Sequence, residues 1–187
     1  MQLVILAGGL GTRISEESQI KPKPLIEIGG KPIIWHIMKH YSNYGFKNFV
    51  IASGYKQNVI KKYFKKKFYN WKIKIIDTGQ KTMTGGRLKR LKKYLNDETF
   101  MLTYGDGLSD VNLLKLVKFH KKNKSMITMT AVRPPARFGE ITLKNNRVAT
   151  FKEKPQVTEG WINGGFFVAK HKFFNLIQGD KTILEKE

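Results

Sequence analysis

Residues 1–32 of the chain read MQLVILAGGLGTRISEESQIKPKPLIEIGGKP, and the fold prediction starts from this stretch. It begins with a short apolar run, Leu3–Leu6, which has the length of a buried strand and leads into glycines. A glycine-rich loop directly after such a strand occurs where a protein cradles a phosphate or binds a dinucleotide, and also where the chain simply turns. The residues that follow the loop help to distinguish these cases.

The loop matches neither of the two standard nucleotide-binding patterns. Gly9–Gly11 starts like a dinucleotide fingerprint, but Ile14 occupies the position of its third glycine. No Gly-Lys-Ser/Thr sequence closes the loop as a P-loop requires. The glycines nevertheless allow backbone N–H groups to approach a ligand closely, and Thr12 and Arg13 add a hydroxyl and a guanidinium that suit phosphate. The pattern therefore favours phosphate binding over a plain turn.

Lys23 follows in a proline-rich segment, between Pro22 and Pro24. The two prolines stiffen the backbone and restrict the residues before them to extended conformations. A lysine held in a rigid extended segment beside a phosphate loop would supply a fixed positive charge. An ordinary surface lysine would have the same local sequence, so this pattern leaves both interpretations open.

Composition narrows the class of protein. The chain has 187 residues, of which 41% are hydrophobic and 12% aromatic, enough for one domain with a sizeable core. It has no cysteine, which excludes disulfides and thiolate metal sites, and no apolar run approaches the length of a membrane span. No basic segment precedes a long apolar run at the N-terminus, so we expect a cytoplasmic protein without a membrane partner.

The formal net charge of +21 has two interpretations. Proteins that bind nucleic acids are often this basic, but so are proteins that carry lysine on every solvated face. Only six of the 35 basic residues are arginines, the residues that usually recognise bases and phosphates in nucleic acids. We therefore expect no nucleic-acid partner and keep a basic nucleic-acid-binding protein as the less favoured alternative.

The order of the predicted elements indicates an α/β fold. Strand-length apolar runs alternate with segments of helical periodicity, and no linker or internal repeat divides the chain. This pattern predicts a single domain, residues 1–187, with a Rossmann-like mixed, mostly parallel sheet and helices on both faces. A β-hairpin is predicted with its turn at Asn145 and Asn146. The predicted strands are Leu3–Leu6, Asn48–Ala52, Lys72–Asp77, Phe100–Thr103, Ser125–Ala131 and residues 161–170, and the predicted helices are Asn58–Phe64, Gly85–Leu95, Asn112–Lys122 and segments beginning at Pro32 and Lys170.

Asp106 stands between two glycines, directly after the predicted strand Phe100–Thr103. Ligands of such sheets bind beyond the carboxyl ends of the strands, where the first glycine loop also lies. A carboxylate at that edge suits a hard cation such as Mg²⁺ that bridges phosphates. An aspartate in an ordinary turn is the alternative.

Six motifs in the same order resemble those of a known family. They are LAGGLGTR (6–13), KPKPLIEIGGKP (21–32), MTGGRLKR (83–90), TYGDG (103–107), FKEKP (151–155) and INGGFFV (162–168). Together they resemble the sugar nucleotidyltransferases, whose members join a nucleoside triphosphate to a sugar 1-phosphate. The resemblance runs from Met1 to about Phe174 and implies the fold of the nucleotide-diphospho-sugar transferases.

The resemblance also implies a set of site residues. Arg13, near the leaving phosphates, and Lys23, at the α-phosphate, would be the catalytic residues, and Asp106 would bind Mg²⁺. Gly85 and Gly86 would let the backbone approach the nucleobase. The nucleotide would contact Leu6, Ala7, Gly8, Gly9, Leu10, Gly11, Thr12, Arg13, Lys23, Thr82, Arg87 and Gly105, and the sugar phosphate would contact Glu153, Lys154 and Asn163.

Within the family, the motifs are most similar to those of members that use CTP and glucose 1-phosphate and release CDP-glucose and pyrophosphate. The implied reaction is an in-line attack of the sugar-phosphate oxygen on the α-phosphorus of the nucleotide, assisted by Mg²⁺. Such a reaction requires positioning and charge neutralisation rather than a covalent nucleophile. The choice of base and sugar rests on the resemblance alone, so a transferase for another nucleotide or sugar stays open.

The chain departs from the family pattern in two places. The segment between Phe64 and Asp77 is shorter than is usual in the family, which bears on whether the protein forms a homo-oligomer. The sequence ends with GDKTILEKE, whereas family members continue and supply a second metal-binding aspartate, and Asp180 lies in the wrong context for that role. We therefore expect a domain that lacks the family's C-terminal part, with a nucleotide- or sugar-phosphate-binding domain without turnover as the alternative.

Overall fold

The computed structural model describes residues 1–9, 21–65, 70–135, 139–153 and 160–186. The chain forms two compact units, one made of Met1–Thr128 with Gly165–Glu187 and the other of Met129–Gly164. The chain passes from one unit to the other within two of its strands. The single domain expected over residues 1–187 stays a prediction.

Strands and helices alternate along the described residues, as expected for an α/β fold. The helices are α1 (Ile33–Asn43), α2 (Gln57–Phe64), α3 (Thr84–Arg90) and α4 (Leu113–Asn123), with 3-10 helices at Lys23–Leu25, Lys92–Tyr94 and His171–Leu176. The strands are β1 (Gln2–Leu6), β2 (Glu27–Ile28), β3 (Lys31–Pro32), β4 (Asn48–Ser53), β5 (Lys72–Asp77), β6 (Thr99–Tyr104), β7 (Ile127–Val132), β8 (Glu140–Lys144), β9 (Arg147–Lys152) and β10 (Ile162–Lys170).

The main sheet has six strands in the order β5-β4-β1-β6-β10-β7. The four strands from β5 to β6 are parallel neighbours, and β10 then pairs antiparallel with β6. The sheet is thus mixed and mostly parallel over these pairs, which confirms the predicted fold class. The carboxyl ends of β5, β4, β1 and β6 lie along one edge, where the polar and glycine-rich segments of the sequence follow them.

Strand β1 lies between β4 and β6 and is apolar on both faces. Leu3, Val4 and Ile5 are fully buried, because helices cover the sheet on each side. Leu3 and Ile5 pack in one core with residues of α1, α2 and α4. Val4 packs in a second core with residues of α3 and the 3-10 helix His171–Leu176. A continuous apolar run, rather than an alternating one, is therefore the correct pattern for this strand.

Two predicted helices differ from the observed ones. The segment Gly85–Leu95 was expected to be one helix, but α3 ends at Arg90 and a separate 3-10 turn, Lys92–Tyr94, follows. The amide of Leu91 donates to the carbonyl of Leu88 three residues earlier, which tightens the chain and ends the α-helical pattern. The segment expected to begin a helix near Lys170 is a 3-10 helix, His171–Leu176.

The unit Met129–Gly164 contains the predicted hairpin. Strands β8 and β9 pair antiparallel, and the turn residues Asn145 and Asn146 have φ angles of 51° and 59°. Positive φ at both central residues is the requirement of a tight two-residue hairpin turn, which asparagine tolerates better than most residues. The turn position is confirmed.

The helices of the described residues include none that is both long enough and apolar enough to cross a bilayer.

His120 is buried on α4 within the larger unit. It is 1% exposed, and its Nδ1 lies 2.8 Å from the hydroxyl of Thr128. Burial, together with the nearby ammonium of Lys170, lowers the pKa of His120 below its ordinary value of 6.5. The folded state therefore holds this imidazole neutral at a pH at which the unfolded chain would already be binding a proton.

We predict that the free energy of unfolding falls as the pH decreases below about 6.5, because His120 binds its proton more readily in the unfolded chain. The slope contributed by this residue is at most about 1.4 kcal/mol per pH unit, and it ends once the pH is below the folded-state pKa. Urea unfolding at pH 8, 7, 6 and 5.5 measures it. His120→Gln should flatten the curve and His36→Gln, the control, should not. An unchanged slope in His120→Gln would refute the assignment.

Candidate functional site

The first glycines of the chain lie where β1, β4 and β6 end together. The pairing of these strands continues past them, because the amide of Ala7 donates to the carbonyl of Ala52 and the amide of Gly105 donates to that of Leu6, each at 2.9 Å. Gly8 is buried and Gly9 is exposed. The remaining predicted nucleotide-binding residues of this stretch, Leu10, Gly11, Thr12 and Arg13, lie outside the described residues.

Gly105 brings a third segment to this edge. A Cβ atom on Gly105 would lie 3.0 Å from the carbonyl oxygen of Leu6, 3.3 Å from the Cβ of Ala7 and 3.1 Å from the Cγ of Pro24. The absence of a side chain therefore permits Pro24, the neighbour of Lys23, to pack beside the end of β1. The sequence did not indicate this contact, because the two segments are far apart in the chain.

Lys23 starts a 3-10 turn rather than the extended segment that the prolines suggested. The amide of Leu25 donates to the carbonyl of Pro22 at 2.8 Å, and the amide of Ile26 donates to that of Lys23 at 3.0 Å. Pro22 is buried and Lys23 is half-buried. The prolines do stiffen the segment, since each fixes its own φ angle inside or beside the turn.

Asp106 follows Gly105 in a turn at the end of β6, and it is exposed. Among the described residues, no three side chains of the metal-binding types cluster closely enough to hold a metal ion. Mg²⁺ commonly takes one or two carboxylates and completes its shell with water and substrate phosphates. The exposed carboxylate of Asp106 lies beside the end of β1, which leads into Gly8 and Gly9, called here the glycine stretch. This carboxylate fits a Mg²⁺ that is held in this way.

Arg87, on α3, is the most unusual residue of the site because it is a cation that is only 4% exposed. Burial lowers its pKa, and the carboxylate of Asp77 acts in the opposite direction. Its guanidinium donates to four oxygens at the ends of β4 and β5, namely the carbonyls of Ser53 (3.4 Å), Gly79 (2.6 Å) and Gln80 (3.1 Å) and the hydroxyl of Thr78 (2.9 Å).

The guanidinium of Arg87 also lies directly against the glycine stretch. A Cβ on Gly8 would come within 2.2 Å of its Nη1, and a Cβ on Gly54 within 2.4 Å. Arg87 was predicted to contact the nucleotide. The structure places it at the predicted loop with donors committed to the protein, and contact with a bound substrate stays a prediction.

Thr82, the other predicted residue of this segment, is 7% exposed. Its hydroxyl oxygen lies 2.9 Å from the position that a Cβ on Gly79 would occupy. Thr82 and Arg87 therefore both border Gly79, although four residues lie between them in the chain. Contact of Thr82 with a bound nucleotide stays a prediction.

A cavity of about 350 Å³ opens at the carboxyl ends of β4 and β5. Asp77 is its acidic group: one carboxylate oxygen accepts from Nε2 of Gln57 at 2.6 Å, and the other accepts from the amide of Gly79 at 2.9 Å. No pattern in the sequence singled out Asp77 or Gln57 as a site residue. Its lining residues are Gly54, Tyr55, Lys56, Gln57, Asn58, Asp77, Gly79 and Gln80.

Gly85 and Gly86 serve a different contact from the one expected. They were interpreted as a place where the backbone approaches a nucleobase, but the chain's own later segment occupies that space. A Cβ on Gly85 would lie 2.7 Å from Cγ2 of Thr182, and a Cβ on Gly86 would lie 2.5 Å from Cα of Asp180. The two glycines thus let residues 180–182 pack against the start of α3, which no local pattern in the sequence indicates.

Two predicted sugar-phosphate residues belong to the unit Met129–Gly164. Glu153 directly follows β9, and one of its carboxylate oxygens lies 3.2 Å from the position of a Cβ on Gly139. Asn163 lies on β10, and both side chains are exposed. Lys154 lies outside the described residues.

A family model for nucleotidyl transferases matches residues 2–186, which is nearly the whole chain. The chain belongs to the nucleotidyl transferase family. This confirms the nucleotidyltransferase activity class and the fold class predicted from the motifs.

The most similar curated relatives that we compared are sugar nucleotidyltransferases. The chain is 46% identical to the glucose-1-phosphate cytidylyltransferase of Salmonella typhimurium, covering all of this chain and 82% of that protein. It is 41% identical to the probable glucose-1-phosphate cytidylyltransferase of Bacillus subtilis, with the same coverage. It is 35% identical to the D-glycero-alpha-D-manno-heptose 1-phosphate guanylyltransferase of Campylobacter jejuni, covering 94% of this chain and 78% of that protein.

Solved structures of the family have the same fold. The crystal structure of HddC from Yersinia pseudotuberculosis, complexed with GMP-PN, superposes with a TM-score of 0.78 at 27% identity, covering all of this chain and 84% of that one. A putative glucose-1-phosphate thymidylyltransferase from Bacillus anthracis gives a TM-score of 0.71 at 19% identity, covering 94% of this chain and 73% of that one, and this likeness concerns the fold alone.

Gly8 tests the packing of Arg87 against the family's glycine loop. We predict that Gly8→Ala lowers the free energy of unfolding by about 1–3 kcal/mol, because the new methyl group would overlap a guanidinium held in place by its acceptors. Gly9→Ala is the matched control, since a Cβ there meets nothing within 4 Å, and it should stay within about 0.5 kcal/mol of the original. Equal values for the two variants, measured by urea unfolding, would contradict the described contact.

Arg87 itself is tested by a substitution that keeps its charge. Arg87→Lys should lower the free energy of unfolding by more than about 2 kcal/mol. The two terminal nitrogens of the planar guanidinium donate to four oxygens, and a single ammonium cannot reach all of them. Arg90→Lys, three residues further along α3 and paired with Asp180 at the surface, should change the free energy of unfolding by less than about 1 kcal/mol. A tolerant Arg87→Lys would show that the network adds little stability.

Proposed function

We propose that the chain transfers a cytidylyl group from CTP to α-D-glucose 1-phosphate, forming CDP-glucose and releasing pyrophosphate. The observation that carries this proposal is the 46% identity, over the whole chain, to a protein named as a glucose-1-phosphate cytidylyltransferase. The cytoplasmic location expected from the sequence belongs to the same proposal, as does the place of the protein in nucleotide-sugar biosynthesis.

The geometry of the sheet edge is suited to this chemistry. The glycine stretch, the turn that begins at Lys23 and the turn that holds Asp106 are adjacent through Gly105. A phosphate chain lying on Gly8 and Gly9 would thus meet backbone donors, a cationic side chain and a carboxylate within one edge. No nucleophilic side chain is required, because the sugar phosphate supplies the attacking oxygen.

In the proposed reaction, an oxygen of the sugar phosphate forms a bond to the α-phosphorus while the bond from that phosphorus to the bridging oxygen of the pyrophosphate breaks. Lys23 would neutralise the charge that gathers on the five-coordinate phosphorus, and Arg13 would neutralise the departing pyrophosphate. Asp106 would hold Mg²⁺, which when bound neutralises charge on the phosphates and fixes their orientation. Glu153, Lys154 and Asn163 are proposed to bind the sugar phosphate.

If the cavity that Asp77 lines receives the nucleobase, it is suited to a base that carries an amino group. The Asp77 carboxylate is a hydrogen-bond acceptor, and the 4-amino group of cytosine is a donor where uracil carries an acceptor. Guanine also carries donors, and the chain is 35% identical to a guanylyltransferase. GTP with another sugar 1-phosphate is therefore the second candidate substrate pair.

A substrate panel tests the proposal. Pyrophosphate release is measured with CTP, UTP, GTP, ATP or dTTP, each with glucose 1-phosphate, mannose 1-phosphate or a heptose 1-phosphate, in the presence of Mg²⁺. CTP with glucose 1-phosphate should give the highest kcat/KM. Fastest turnover with GTP would favour the second candidate. CTP binding without pyrophosphate release from any pair would refute transfer and support a binding domain without turnover.

Lys23 and Lys21 provide a matched pair for the catalytic assignment. We predict that Lys23→Met lowers kcat by about 10²–10³-fold, because one donor to the developing charge is lost. Lys21→Met removes a neighbouring lysine whose ammonium is paired with the Glu27 carboxylate at 3.0 Å, and kcat should stay within about threefold of the original. Equal losses in the two variants would contradict a specific role for Lys23.

A further inference from the structure

The segment Gln178–Glu185 lies across the start of α3, and we call it the C-terminal segment. The amide of Met83 donates to the carbonyl of Asp180 at 2.9 Å, and the amide of Gly85 donates to that of Thr182 at 3.0 Å. The first N–H groups of a helix have no partners within the helix, and the side chain of Met83, the N-cap residue of α3, makes no capping hydrogen bond. The carbonyls of the C-terminal segment supply the missing acceptors.

Glu185, in this segment, connects two different elements of the fold. One of its carboxylate oxygens accepts a hydrogen bond from the hydroxyl of Thr84 at 2.8 Å, and the other accepts one from the hydroxyl of Tyr104 at 2.6 Å. Thr84 is the first residue of α3, and Tyr104 is the last residue of β6. A single carboxylate therefore joins the beginning of α3 to the end of β6.

Each partner of Glu185 leads directly to the proposed site. Three residues after Thr84, on the next turn of α3, Arg87 lies against Gly8. Directly after Tyr104 come Gly105, which lies against β1, and the proposed metal-binding residue Asp106. Glu185 thus connects α3, whose Arg87 packs against the glycine stretch, to the turn that contains Asp106.

Packing holds the Tyr104 ring in place for this hydrogen bond. Its centroid lies 5.8 Å from that of Phe167, with the rings nearly perpendicular. A Cβ on Gly165 would come within 2.9 Å of the Tyr104 ring, so the backbone of β10 limits its movement on another side. Because the Tyr104 ring is fixed by packing, its hydrogen bond to Glu185 also restrains the backbone of β6.

We propose that Glu185 is a positioning residue for nucleotidyl transfer. It sets the distance between the glycine stretch, which contacts Arg87, and the turn that contains Asp106. This inference rests on the proposed function, because the separation matters only if both groups act on one phosphate chain. Hydrogen bonds from hydroxyls to a carboxylate are stronger than those between neutral groups. Glu185 is exposed, so its removal should affect the reaction more than the stability of the fold.

The first experiment compares Glu185→Ala, Glu185→Gln and Tyr104→Phe in steady-state pyrophosphate release. Glu185→Ala should lower kcat by about 10–100-fold, since misplacement by a fraction of an ångström weakens catalysis strongly, while the KM for CTP changes by less than about threefold. Tyr104→Phe should lose about as much as Glu185→Ala, because it breaks the same connection. Glu185→Gln should lose less, because its amide can accept a hydrogen bond from one hydroxyl and donate one to the other. The midpoint of thermal unfolding should change little.

A double variant and a control distinguish positioning from general weakening. Glu185→Ala combined with Tyr104→Phe should be no slower than Glu185→Ala alone, because both changes break the same connection. Asp180→Asn removes an exposed ion pair with Arg90 from the same segment and should leave kcat within about threefold of the original. A normal kcat in Glu185→Ala, or losses that multiply in the double variant, would overturn the proposal.

The second experiment does not depend on turnover. Hydrogen–deuterium exchange of the substrate-free protein should become faster at Gly105–Gly107 in both Glu185→Ala and Tyr104→Phe, and remain unchanged there in Asp180→Asn. If the original chain released no pyrophosphate, the proposed function would fail, and this exchange result would still support or overturn the connection itself. Unchanged exchange at Gly105–Gly107 in the two variants would overturn it.

Discussion

The buried guanidinium of Arg87 is the interaction on which the arrangement of the site depends. It bonds oxygens at the ends of β4 and β5, lies against Gly8 at the end of β1, and is itself carried by α3. A cation that is desolvated to this degree is stable only when oxygens surround its donors. The segments that supply those oxygens are therefore held in one geometry, and Gly8 packs against the guanidinium that they surround.

The requirement for glycine at several positions follows from this packing. Gly8 and Gly54 leave room for the guanidinium, Gly105 leaves room for Pro24, and Gly86 leaves room for the C-terminal segment. A single methyl group would overlap atoms of another chain segment at Gly8, Gly54 and Gly86, and it would make tight contacts at Gly105. Gly8, Gly86 and Gly105, which the motifs assign to ligand contact, thus also serve contacts between segments of the protein, whereas a Cβ on Gly9 would meet nothing within 4 Å.

The strongly positive charge agrees with anionic substrates as well as with nucleic acids. A net charge of +21 creates a long-range field that favours the approach of any phosphate-bearing molecule. The family assignment rests instead on the match of the family model to nearly the whole chain, which does not depend on the charge. The lysine excess is thus compatible with a nucleotidyltransferase without indicating one.

The sequence by itself determined the elements and the family of this protein. Local periodicity predicted Lys72–Asp77 with its observed bounds, and the asparagine pair predicted the hairpin turn, because these features depend on neighbouring residues. The sequence also placed Gly105 and Asp106 directly after an apolar strand. The predicted length of the helix that begins near Gly85 was wrong. The spacing of apolar residues does not show that the chain tightens into a 3-10 turn after Arg90.

Only the tertiary structure decided which of these segments touch. Burial of Arg87, the contact of Pro24 with Gly105, and the connection that Glu185 makes between Thr84 and Tyr104 join residues separated by up to about a hundred positions. A single sequence carries no signal for such pairs, because each residue type is ordinary in its own neighbourhood. Parallel strand order brings them together, and hydrogen bonding of buried polar groups then selects the arrangement.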